Sequence, residues 1–116
     1  LLGRYEGPIV ATLPAASTMT TLVHNIGTNE IIGHVAIEVI CTTTNNGWTV
    51  GDRINNLIAV ATTTNNPSSF SWDSFNLYWP SANGASPWGS VPKGGGNVAP
   101  LVSADFSYRG IVNRGW

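Results

Sequence analysis

The sequence predicts an all-β fold, and three observations carry that expectation. β-Branched and aromatic residues gather in short runs, polar stops rich in Thr, Asn, Gly and Pro separate the runs, and no window sustains a helical apolar period. Roughly six to eight short strands in an antiparallel sandwich or barrel are expected. At 116 residues the chain forms one domain with a modest core.

Residues 1–16 read as an N-terminal arm or edge strand, because Pro8 and Pro14 flank a short β-prone piece and proline is tolerated at sheet edges. Residues 17–116 form the single domain. Ser17–His24 alternates in strand fashion, and Asn25–Asn29 reads as a loop. The strongest strand is His34–Cys41. It sets Val35, Ile37, Val39 and Cys41 on one face and Ala36, Glu38 and Ile40 on the other. Asn46-Gly47 is the preferred pair for a turn of positive φ. Trp48–Asp52 is expected to return as the second arm of a central hairpin. Gly47 and Gly51 are assigned to turn geometry, and Asp52 to capping backbone N–H groups.

Beyond the hairpin, Arg53–Asn56 reads as irregular, Leu57–Ala61 as a strand and Thr62–Pro67 as a polar stop. Phe70–Trp72 and Phe75–Trp79 are two aromatic strands, or one bent at Asp73-Ser74. Pro80–Asn97, with three prolines and a triple glycine, is expected to be a long loop without regular structure. Ala99–Ser103 and Phe106–Val112 give the last strands.

Composition narrows the function. Only 9% of residues are charged, against about 25% in ordinary soluble domains, and Thr, Asn and Ser carry the polarity instead. Such a neutral surface suits an extracellular particle or a protein packed among copies of itself. The net charge of −1 and scattered cations give no basic stripe, so nucleic-acid binding is not expected. Cys41 is the sole cysteine and reads as a buried, inert thiol; no internal disulfide or thiolate cluster is possible. No apolar run reaches the roughly 20 residues that cross a bilayer, so no membrane insertion is expected. No signal-peptide arrangement opens the chain. The Leu1 start is compatible with processing or with a longer parent chain.

The chemistry-bearing residues are few. His24 and His34, even with Glu30, Glu38, Asp52 and Asp73, show no metal-ligand spacing. There is no nucleophile elbow, and Lys93-Gly-Gly-Gly96 lacks the phosphate-loop order. Neither a metal nor any other cofactor is implied, and no catalytic residue is assigned. If the chain were a glycan-degrading enzyme, Asp52 and Asp73 would be the carboxylate pair to test. The late aromatics point to binding. Trp79 closes a strand and Trp88 lies between Pro87 and Gly89. Trp88 stacks on a sugar, packs on a neighbouring subunit, or folds back as a lid over its own core. Trp79, Trp88 and the amide of Asn83 are the candidate ligand-binding residues. Because His34–Cys41 is apolar on both faces, its outer residues Ala36, Glu38 and Ile40 are expected to be covered by another copy of the chain.

Three pieces also bear a family likeness: His24-Asn-Ile-Gly27, the strand Val35–Cys41, and Asn46-Gly-Trp-Thr-Val-Gly-Asp52. Together they resemble a module of tailed-bacteriophage virion proteins, especially tail-fibre tips. Arg109–Trp116 is a looser match to the basic and aromatic ending of that module. Asn25 stands where the family has Gly, and Pro80–Asn97 is an insertion. The resemblance covers about a quarter of the chain. It implies a small, H-type-lectin-like β-sandwich that forms homotrimers on the virion surface, binds a host-surface glycan and performs no catalysis. A capsid-decoration or tail-assembly protein, binding other virion proteins, is the alternative. An arm inserted in a neighbour would favour that alternative, and a free arm would favour adhesion.

Overall fold

A computed structural model describes residues 4–27, 34–54, 57–62 and 64–113. The expected loop at Thr28-Asn29, the Asn55-Asn56 part of the irregular piece, the first three residues of the arm, Glu30, and the Arg114–Trp116 ending lie outside the described residues. The chain is all-β, with every strand pairing antiparallel. The strands are β1 (Arg4–Glu6), β2 (Val10–Ala11), β3 (Met19–Val23), β4 (His34–Cys41), β5 (Arg53–Ile54) and β6 (Ile58–Val60). They continue as β7 (Asn65–Pro67), β8 (Ser71–Trp72), β9 (Asn76–Pro80), β10 (Trp88–Ser90), β11 (Ala99–Pro100) and β12 (Phe106–Asn113).

Among the described residues three sheets result. The first runs β1-β12-β4-β5, with β2 also on β12; the second runs β11-β10-β6-β7; the third runs β3-β9-β8. The pair β4–β12 forms the spine, in register from His34↔Asn113 to Cys41↔Phe106. Its inner face buries Ile37, Val39, Cys41, Phe106 and Tyr108, the alternation that period-two patterning dictates. On that face Gly110 leaves room for the third sheet: a Cβ there would stand 2.9 Å from Leu77 Cδ1 and 3.0 Å from Leu22 Cδ1. Trp79 of β9 meets Tyr108 edge-on at 5.2 Å and Trp88 of β10 at 4.6 Å between ring centroids. One core therefore joins all three sheets, and Ile26, Leu77 and Val112 form a smaller cluster beside it. Cys41 is buried in the main core, its thiol donating to the Thr43 carbonyl at 3.2 Å. Burial pushes its pKa up.

Three expectations need correction. Trp48–Asp52 is not the returning strand. Asn46 and Gly47 take φ of 52° and 80° and close a tight turn in which Asn45 and Trp48 exchange both backbone bonds, at 3.1 and 2.9 Å. A second turn follows at once, with Gly51 at φ 94° and the Asp52 carboxylate accepting from the Thr49 N–H at 2.9 Å. Two stacked turns consume the length a strand would have used, so the return is only Arg53-Ile54, facing Ile40 and Val39.

Pro80–Asn97 is not structureless. It contains β10, whose three residues are all buried between β6 and β11. Pro87 precedes the strand, where its missing N–H costs no ladder bond and its carbonyl still accepts from Val60 N–H at 2.8 Å. Gly89 is required there, since a Cβ would meet the Ala99 carbonyl oxygen and Val60 Cγ2, both at 3.0 Å.

The polar stop Thr62–Pro67 carries the edge strand β7, exposed along its length; polar side chains and a proline suit an edge. The described part of the N-terminal segment follows the edge-strand reading of residues 1–16. β1 and β2 are a broken edge strand on the chain's own β12. Beyond them, Pro14 accepts from the indole of Trp88.

Candidate functional site

The tandem turns and β10 build a groove of about 530 Å³ between the first and second sheets. Trp48, Arg53, Ile54, Leu57 and Ile58 line it, and Pro67, Ser68 and Ser90–Lys93 complete it. The wall carrying Trp48 is fixed from beneath. Ser90 is buried, and its hydroxyl accepts from Trp48 Nε1 at 3.1 Å and from Asn46 Nδ2 at 3.2 Å. With its only polar group spent on Ser90, the indole offers the groove hydrocarbon surface alone. The rim is charged. Lys93 Nζ pairs with Asp52 Oδ2 at 2.9 Å, and Arg53 Nη1 donates to the Gly51 carbonyl at 2.9 Å. The Thr49 N–H, followed by Lys93, holds the Asp52 carboxyl below its ordinary pKa. An apolar indole beside hydroxyl, ammonium, guanidinium and carboxylate groups can pack on a ring's C–H face while bonding its hydroxyls.

The ligand-binding residues expected from sequence lie elsewhere. Trp88 is 0% exposed and its indole N–H donates to Pro14 O at 2.8 Å; of the three roles open to it, the chain adopts the one inside its own core. Trp79 is buried against it, with its N–H on Ser68 Oγ at 3.0 Å. Both rings are needed to fill the space where three sheets meet, and neither reaches the surface. Asn83 is exposed, and its side-chain oxygen faces Thr62 N at 3.2 Å. The three are not brought into one surface site. From sequence, the Asn46–Asp52 segment with Trp48 is assigned to the hairpin and not to binding, whereas the Pro80–Asn97 loop, which holds Ser90 and Lys93, is the stretch where any recognition is expected.

The residues for a carboxylate mechanism are committed to turns. Asp73 Oδ1 accepts from the Phe75 and Asn76 N–H groups, both at 2.9 Å, and Oδ2 accepts from the Tyr78 hydroxyl. The Tyr78 bond, then these N–H groups, lower its pKa. Asp52 caps Thr49, in a different sheet connection. His24 is buried: Ile26 N–H points at Nδ1 at 3.0 Å, which places the ring proton on Nε2, donated to Asp73 O at 3.0 Å. Among the described residues no group of three or more His, Cys, Asp or Glu is placed to hold a metal ion.

Ala36, Glu38 and Ile40 do share the outer face of the first sheet, each half-buried. The face is not bare hydrocarbon. Glu38 Oε1 lies 3.0 Å from Arg109 Nε and 3.6 Å from Arg53 Nε, and Glu6 pairs with Arg109 at 2.6 Å and Arg4 at 3.2 Å. The row Arg53–Glu38–Arg109–Glu6–Arg4 crosses four strands, and the long arginine stems cover part of the apolar surface. A strand apolar on both faces is thus partly shielded by its own chain.

Compared with protein-family models, with curated proteins and with solved structures, the chain has no match.

Proposed function

We propose that this chain is a non-catalytic adhesion module of a virion, of tail-fibre type, that binds a host-surface glycan in the Trp48 groove. The observation that carries this reading is the groove itself: about 530 Å³ of cleft with a propped indole and convergent polar groups. The Asn46–Asp52 segment that resembles phage tail-fibre modules is also the segment that builds the groove's Trp48 wall. The commitment of Asp52 and Asp73 to turns argues against glycan cleavage by that pair.

Glycan-array binding by the intact protein, repeated with Trp48→Leu and Lys93→Ala, tests this. Binding that both substitutions weaken at least tenfold, with the fold intact by circular dichroism, supports it. Wild-type protein that binds no glycan, or binding indifferent to both changes, removes its support.

A further inference from the structure

We propose that the site does not end at the Trp48 groove but continues over Arg53 onto the outer face of the first sheet, and that its ligand is an acidic oligosaccharide lying along both. This rests on the glycan reading above.

A second depression of about 290 Å³ opens on the outer face at the β4–β5 edge, lined by His34, Ala36, Glu38, Arg53 and Ile111 and reaching the inward-facing Ile37 and Ile54. Arg53 and Ile54 belong to the walls of both depressions. The second one exists because Ala36 stands opposite Ile111 in the β4–β12 register; a methyl group leaves space that the larger β4 residues would fill. Its apolar lining suits the C–H face of a sugar ring, and Glu38 and His34 offer hydrogen-bonding groups at its rim. A ligand reaching both depressions is a chain of sugars, not a single terminal one.

The loosely held Arg53 points to the acidic character. Of the outer row of Arg4, Arg53, Arg109, Glu6 and Glu38, only Arg53 and Glu38 line the depressions. Within it Arg109 is held closely, at 2.6 and 3.0 Å, whereas Arg53 stands 3.6 Å from Glu38 with its side chain 55% exposed. A guanidinium has five donors in a planar fork matched to a carboxylate; one of Arg53's goes to the Gly51 carbonyl. In the groove proper, Lys93 is already neutralised by Asp52. The ligand's carboxylate is therefore recognised at Arg53, midway along the track.

The test is an array of matched neutral and acidic glycans, from monosaccharide to tetrasaccharide, probed with wild-type protein, Ala36→Tyr and Arg53→Gln. The wild type is expected to bind acidic oligosaccharides at least tenfold more tightly than the corresponding monosaccharides. Ala36→Tyr, which fills the second depression, brings that ratio towards one. Arg53→Gln abolishes the preference for acidic over neutral chains. Equal binding at all chain lengths, a ratio unmoved by Ala36→Tyr, or a preference for neutral glycans overturns the extended acidic site while leaving the groove reading intact. A wild-type protein that binds nothing on the array overturns both.

Discussion

Trp48 Nε1 donates to Ser90 Oγ at 3.1 Å, and this bond ties the tandem turns after β4 to the buried strand β10. Ser90 also receives Asn46 Nδ2, so two donors from one loop converge on a single hydroxyl in another sheet. Ser90→Ala removes the acceptor of Trp48 Nε1 and leaves Asn46 Nδ2 only the Ser90 carbonyl at 3.3 Å, and should cost about 1–3 kcal/mol. Urea denaturation measures the loss, and the wall carrying Trp48 should loosen with it. An unchanged midpoint would mean that the two donors are satisfied without the Ser90 hydroxyl.

Trp88 is fully enclosed where the three sheets meet, with Trp79 packed against it at a tilt of 35° and its N–H on Pro14. Trp88→Ala should remove about 3–5 kcal/mol, much of the stability of a domain this size. Trp88→Phe keeps most of the packing but orphans the Pro14 carbonyl, and should fall between the alanine variant and wild type. Thermal melts distinguish this from a surface role, in which neither substitution would lower the melting temperature.

Gly110 is the contact point of the first and third sheets. Adding a Cβ 2.9 Å from Leu77 Cδ1 and 3.0 Å from Leu22 Cδ1 overpacks that seam, so Gly110→Ala should destabilise by about 1–3 kcal/mol. Leu22→Ala in the same chain opens space and should recover part of the loss. Strict additivity of the two changes in denaturant unfolding would contradict the packing described.

Acid should weaken the fold through its turns. Asp73 is held low by Tyr78 and the Phe75 and Asn76 N–H groups, Asp52 by Thr49 and Lys93, and Glu6 by Arg4 and Arg109. In each case the folded pKa lies below the unfolded one, near 4. Their contribution is therefore complete above that value and lost as pH falls through the lower folded values. Unfolding free energy measured from pH 6 to pH 2 should stay level and then decline below about pH 4. Asp73→Asn should flatten part of the decline. A fold that gains stability as the pH drops through this window would contradict the turn assignments.

The spine of this fold is legible in the sequence because its physics is local. His34–Cys41 is a long run of β-branched and apolar residues, and Asn46-Gly47 is a pair whose cheap positive φ announces a turn. β10 is not legible for a complementary reason. Its Trp-Gly-Ser has no alternation to read, lies among prolines and glycines, and is a strand only because β6 and β11 arrive on either side. The same long-range packing took Trp88 inside. Read locally, a tryptophan between Pro and Gly looks like a loop residue; the Pro14 carbonyl that accepts its N–H lies 74 positions away in the chain. The groove is assembled from residues that touch only after folding. Trp48 and Lys93 are therefore visible in the sequence as parts of two notable segments, but not as neighbours.

The most direct test of the groove reading is a titration followed through the indole N–H resonances of the five tryptophans, using an array-positive glycan. The account predicts that the Trp48 resonance, reporting on the bond to Ser90, shifts in a saturable manner while that of Trp88, locked on Pro14, stays in place. Saturable shifts confined to other tryptophans, with Trp48 unmoved, would place the binding surface elsewhere and contradict it.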